Sequence, residues 1–250
     1  MKKIKLLSAV LASLLLFTAC GNKDVNSSSD TSQKEIIMAT EAGFAPYEYY
    51  DGDKIIGVDV DIANEIAKAM GAKLKIVDMD FGAIITAVDT GKATFGAAGL
   101  SVTPERAKQV DFSIEYAISQ QVILVNNDSK INGEDDLSGK TIGCQLGTVA
   151  DLYIADMENS KGQQYVKYAD AANDLLNGRI DAIVMDKLPA ENLIKTHTDI
   201  KILEKPLFTD KYALAIKKGD SQTLEAVNTA LQKLIDEGKI EEFTINHTSK

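Results

Sequence analysis

Compact apolar runs alternate with amphipathic stretches along most of this chain, and that alternation predicts an α/β fold with largely parallel sheets. Residues 36–40, 74–77, 95–100, 121–125, 141–145, 182–185 and 212–216 are short apolar segments bounded by glycine or polar positions, so they read as strands. Between them the apolar spacing becomes helical. Ile62, Ile66 and Met70 share one face of a helix over 59–70, with Asp59 as N-cap and Gly71 just past its end. Further helices are expected over 81–88 and after Gly147-Thr148. The final helix, over 221–237, is amphipathic through Leu224, Val227, Leu231, Leu234 and Ile235, with Gly238 as its stop. No internal repeat is visible, but two strand-to-helix turns could each face a shared cleft.

The first residues obey a different pattern. Met1-Lys2-Lys3-Ile4-Lys5 is basic and 6–17 is an apolar run too short to span a bilayer, as in an export signal. The run ends in Phe17-Thr18-Ala19-Cys20-Gly21, which resembles a bacterial lipobox although Phe17 replaces the usual aliphatic residue. Cleavage before Cys20 and its lipidation are therefore expected. Residues 20–33, rich in Ser, Asp and Asn, read as a flexible tether. Loss of residues 1–19 removes three lysines and takes the formal charge from −10 to −13. So acidic a chain is a poor partner for nucleic acid or for bare anionic lipid, which leaves the acyl group as the membrane attachment. With Cys20 lipidated, Cys144 has no disulfide partner, and its apolar run marks it as a small buried hydrophobe.

One segment carries recognisable chemistry. In Gly99-Leu100-Ser101-Val102-Thr103-Pro104-Glu105-Arg106, glycine admits a ligand to the backbone, Ser101 offers donors, and Arg106 presents a planar fork suited to a carboxylate. A plain strand end followed by a helix capped by Thr103, with Pro104 at its first position, would read the same.

Three more segments join it: Glu41-Ala42-Gly43-Phe44-Ala45-Pro46-Tyr47-Glu48, Gly57-Val58-Asp59-Val60-Asp61-Ile62-Ala63, and Asn177-Gly178-Arg179-Ile180-Asp181-Ala182-Ile183-Val184-Met185-Asp186. In this order, behind a lipobox, they resemble the polar amino-acid-binding proteins of bacterial ABC importers, over roughly 36–243. The resemblance implies a type 2 periplasmic binding protein: two α/β lobes with mostly parallel sheets, joined by two crossing hinge strands. Lobe one would hold 34–117 plus 212–250, and lobe two 118–211. It further implies a monomeric receptor with no cofactor, which hands an amino acid to permease subunits in the membrane.

Roles follow position by position. Arg106 would clamp the ligand α-carboxylate with Ser101 and the backbone at Gly99, and Asp186 would take the α-ammonium. A buried zwitterion needs both counter-charges. Asp186 could instead be a simple N-cap. Thr148 and Val149 open a lobe-two helix whose N–H groups would reach the same carboxylate; Val149 stands where a second hydroxyl is common. Phe44 and Phe81 match the walls around the ligand side chain, though either could be ordinary core. Glu41 would read that side chain, with Gln145 opposite. Since Arg106 and Asp186 satisfy the zwitterion, Glu41 is left as a surplus negative charge suited to a cationic or amide side chain. Two alternatives share the scaffold: a dehydratase of small carboxylic acids and a sensory or adhesive lipoprotein. The enzyme would need a positioned acid or base: His197 falls in a polar loop and His247 in the tail, which leaves Glu41 and Asp186 as its acid/base pair. No phosphate-binding glycine loop with its lysine is present, so transport energy would come from a separate ATPase.

Overall fold

A computed structural model describes residues 34–249. The expected export segment, tether and Cys20 lipidation lie outside the described residues. Two mixed sheets organise the chain. In the first, Glu35–Thr40 runs parallel to Lys73–Asp78 on one side and to Phe95–Gly96 on the other, while Ala215–Lys217 and Val110–Phe112 add an antiparallel edge. The second repeats the scheme: Thr141–Gln145 lies between the parallel strands Lys161–Tyr165 and Ala182–Asp186, and Ala117–Asn126 closes antiparallel on the latter. Ile200–Ile202 and Phe208–Tyr212 then pair with Ala117–Asn126. Strands fed by crossover helices are parallel, whereas strands arriving from the other lobe run against them, so each sheet has a parallel and an antiparallel half.

The chain crosses between the sheets twice, through Ala117–Asn126 and back through Phe208–Tyr212. The Tyr116 N–H donates to the Tyr212 carbonyl at 2.9 Å, and the Ala213 N–H to the Leu100 carbonyl at 3.0 Å, so the crossings are tied to each other and to the segment that holds Ser101. A three-stranded meander, Gly43–Phe44, Glu48–Asp51 and Lys54–Ile56, lies beside the first sheet; the alternation in the sequence had not marked it.

Several element boundaries differ from the sequence reading, each for a local reason. The first helix is Val58–Ala69 and its N-cap is Gly57 at φ 137°, not Asp59. A Cβ at Gly57 would sit 2.1 Å from the Tyr47 carbonyl oxygen, so only glycine permits this turn. Asp59 is spent elsewhere, as described below. The strand expected over 95–100 stops at Gly96 because the chain turns at Gly99, φ 53°. Residues 81–88 begin as a tight turn, Phe81–Ala83, before the helix Ile84–Asp89. The run 212–216 is divided between Phe208–Tyr212 and Ala215–Lys217, because it crosses from one sheet to the other. Helix Ser221–Asp236 buries Val227, Leu231 and Leu234 but leaves Ile235 exposed. Gly238 does end it, in left-handed backbone, yet a further helix, Lys239–Thr248, follows. That helix places His247 against Tyr49 and Asp61, not in a loose tail.

The largest apolar cluster joins Ile36, Met38, Ile62, Ile66, Phe95 and Leu231 and continues through Tyr212 to Val122 and Met185. A second cluster under the other sheet includes Ile123, Ile142, Leu137 and Cys144, with the cysteine fully buried as its apolar run suggests. Burial pushes its thiol up to about 12, so it is unreactive at neutral pH.

Candidate functional site

Parallel strands deliver their carboxyl ends to one region, and the polar side chains of this chain gather there. Glu41 follows strand Glu35–Thr40, Gly99 and Ser101 follow Phe95–Gly96, Gln145 ends Thr141–Gln145, and Asp186 ends Ala182–Asp186. All ten expected ligand-contacting residues line one narrow cleft: Glu41, Phe44, Phe81, Gly99, Ser101, Arg106, Gln145, Thr148, Val149 and Asp186. Glu48 lines it too, and had been given no role.

Arg106 sits in helix Pro104–Gln109, whose N-cap Thr103 accepts the Arg106 N–H. Its guanidinium is largely buried, donating from Nη1 to the Ser101 carbonyl at 2.6 Å and from Nη2 to the Gly147 carbonyl at 3.0 Å. The second bond spans the cleft. The ring of Phe81 lies 5.2 Å from the guanidinium carbon, a cation–π distance, so Phe81 orients Arg106 besides lining the cleft. Burial lowers the Arg106 pKa to about 10, and it remains charged at neutral pH.

Asp186 is buried and accepts the Ser119 hydroxyl at 2.6 Å and the Tyr212 hydroxyl. It occupies the N-cap position of the helix Lys187–Ile194, but its side chain makes no capping bond there. Burial, then the neighbouring Asp210 charge, pushes its pKa up to about 6. Asp210 itself accepts the Ser101 hydroxyl and supplies the largest opposing charge to Arg106. No sequence pattern marked Asp210, because it comes from the returning crossover strand.

Thr148 caps helix Val149–Asp156, accepting the Asp151 N–H and donating to the Gln145 carbonyl at 2.7 Å. Phe44 stacks between Tyr47 and Tyr168, with ring centroids 6.1 and 6.3 Å away. A Cβ at Gly99 would lie 3.0 Å from that Phe44 ring, which explains the glycine.

Glu41 does not keep the surplus charge expected of it. Lys167 Nζ lies 2.9 Å from Oε1, and Gln145 Nε2 donates to Oε2 at 3.2 Å. Lys167 was invisible to the sequence reading because it stands in an unremarkable loop before helix Tyr168–Leu176, 126 positions away.

Glu48 is fully buried with neither carboxyl oxygen hydrogen-bonded by a conventional donor. Burial, then the Asp59 charge, pushes its pKa well above the usual carboxylate range. Asp59 is the hydrogen-bonded member of the pair: it accepts the Gly99 N–H at 3.0 Å and the Tyr116 hydroxyl at 2.7 Å. Its burial under the cleft therefore fixes the backbone at Gly99.

These features define a two-lobed α/β binding protein with a small polar cleft between its lobes. The chain belongs to the bacterial extracellular solute-binding proteins, family 3, which match it over residues 36–248. It is 34% identical to the "Arginine-binding extracellular protein ArtP" of Bacillus subtilis (strain 168), over 97% of this chain and 96% of that protein. Among solved structures, a mutant of ArgBP from T. maritima superposes with a TM-score of 0.83 at 35% identity, covering 86% of this chain and 96% of the other. An ancestral arginine-binding protein bound to glutamine gives 0.81 at 32% identity, covering 87% and 99%. Such relatives are substrate-binding proteins of ABC transporters; the chain is an amino-acid-binding protein of this kind and not an enzyme. No helix of the described residues is long and apolar enough to cross a membrane.

Proposed function

We propose that this chain is a lipid-anchored receptor on the outer face of the cytoplasmic membrane, which captures a basic or amide amino acid and delivers it to an ABC permease. The observation that carries the reading is one cleft lined by a buried cation, Arg106, a buried anion, Asp186, and a second anion, Glu41. Arg106 clamps the α-carboxylate with Ser101, Gly99 and the N–H groups at Thr148 and Val149, and Asp186 holds the α-ammonium. Phe44 and Phe81 flank the side chain, whose distal cation or amide meets Glu41 and Gln145. Lobe one comprises 34–117 plus 212–250 and lobe two 118–211, closing about the crossing strands. Support for the ligand class comes from the Bacillus subtilis relative, whose name specifies arginine, and from the glutamine-bound ancestral protein. The lipobox-like stretch ending at Cys20 supports the anchor.

Calorimetry of the twenty amino acids against wild-type protein and Glu41→Gln tests the reading. The expected result is tightest binding of arginine, lysine, histidine or glutamine, with Glu41→Gln weakening the cationic ligands far more than glutamine. Preference for an acidic or purely aliphatic amino acid would overturn it.

A further inference from the structure

The contact between Lys167 and Glu41 places one of the protein's own cations where a ligand's side-chain cation would be read. We propose that Lys167 is a specificity-determining residue that competes with basic ligands for Glu41: a cationic side chain must displace it, whereas an amide side chain leaves it in place. This rests on the amino-acid reading above and names what sets the choice within that ligand class.

The two partners are unequal. The Glu41 side chain is 3% exposed and that of Lys167 46%. A carboxylate shut away from water needs a cation beside it, but the ammonium at the rim can return to solvent. Exchange therefore runs one way: Glu41 stays and the cation changes. Lys167 also has somewhere to go, since the exposed carboxylate of Asp78 attracts it from the same rim, beside Tyr50, whose hydroxyl donates to Asp78 at 3.1 Å.

The contact is built, not incidental. Gln145 Nε2 donates both to Glu41 Oε2 and, at 2.8 Å, to the carbonyl of Val166, the residue before Lys167. One amide thus fixes the backbone that aims the lysine while it occupies the other carboxylate oxygen. Each Glu41 oxygen is met by a group from the second sheet's side of the cleft, so the pair also bridges the cleft. An amide ligand can hydrogen-bond to this arrangement with Glu41 neutralised. A guanidinium added to it would leave two cations on one carboxylate.

The test measures arginine and glutamine affinity by calorimetry in wild-type protein, Lys167→Met, Lys167→Arg, Glu41→Gln and the double variant Glu41→Gln/Lys167→Met. Methionine keeps the aliphatic stem without the charge. Lys167→Met is expected to tighten arginine binding about threefold to tenfold, the range for removing a half-exposed competitor of a buried charge, and to change glutamine binding by less than about twofold. Lys167→Arg should retain the wild-type ratio. In the Glu41→Gln background the Lys167→Met effect should vanish. Equal shifts for both ligands, weaker arginine binding in Lys167→Met, or an effect that persists without Glu41 would overturn the competition. Failure of the wild-type protein to bind either amino acid is a different result: it removes the amino-acid reading itself.

Discussion

Asparagine at position 186 would exchange a buried charge for an amide of the same shape, and two opposite consequences follow. An ammonium about 3 Å from a carboxylate gains roughly 5 kcal/mol at an effective dielectric near 20. Desolvation takes back part of that gain, so Asp186→Asn should weaken amino-acid binding by roughly 2 to 5 kcal/mol, about thirtyfold to several thousandfold in Kd. Without ligand the same change should stabilise the protein. Burial and Asp210 raise the folded-state pKa from 3.8 to about 6, so ionised Asp186 opposes folding at neutral pH. Two units correspond to a penalty on the order of 2 to 3 kcal/mol. The sign is fixed by linkage. The folded protein holds this proton more tightly than the unfolded chain, so the penalty is complete above about pH 6 and absent below about pH 3.8. The variant should therefore melt higher than wild type at pH 7, and the gap should close by pH 3.5. Wild-type affinity should rise about tenfold from pH 5 to pH 7 as Asp186 ionises, a slope the variant should lack. Calorimetry across this range and thermal unfolding of ligand-free protein measure both halves. A Kd within threefold of wild type, or a lower melting temperature for the variant at pH 7, refutes the reasoning.

Two other residues give independent tests. Arg106→Lys keeps the charge but loses the planar fork, the stack on Phe81 and the geometry that bonds Ser101 and Gly147 together; affinity is expected to fall at least about tenfold by calorimetry with the circular dichroism spectrum unchanged, and a loss below threefold would show that charge alone suffices. Cys20→Ala should release the protein from the membrane fraction of expressing cells or leave it unprocessed, and recovery of acyl-free wild-type protein in that fraction would exclude the lipid anchor.

The strand-end chemistry was legible in the sequence because it is local. Gly99, Ser101 and Arg106 lie within eight positions, and the same short run contains the Thr103 cap and Pro104 that orient the guanidinium. Apolar runs likewise located the central strands, such as Ala117–Asn126 and Ala182–Asp186, since a strand buried on both faces has no polar positions to confuse it, whereas polar edge strands such as Lys161–Tyr165 went unmarked. Boundaries failed where tertiary contact overrode pattern. Asp59 looked like a cap by its place before an amphipathic stretch, yet Gly57 already provides the turn, and the freed carboxylate is drawn under Gly99 and Tyr116. The apolar run 212–216 concealed a crossover because both of its halves are buried, in different sheets. Lys167 and Asp210 escaped for a related reason: each meets its partner across the cleft or along a hinge strand, and no short-range pattern encodes how two lobes face one another.

The acids around the cleft outnumber its cations, and burial decides which of them count. Burial and the Asp59 charge disfavour ionised Glu48, while two donors, the Gly99 N–H and the Tyr116 hydroxyl, favour the charge on Asp59. Asp210 takes up the Ser101 hydroxyl and opposes Arg106, and on the proposed reading Asp186 meets the ligand ammonium. Glu41 is then the acid whose compensation comes from a side chain able to leave, because Lys167 alone among these partners reaches solvent. On the proposed reading, affinity for the amino-acid backbone resides in buried pairs that resist exchange and discrimination between side chains in the half-exposed pair, where a substitution should alter the ligand ratio without dismantling the site.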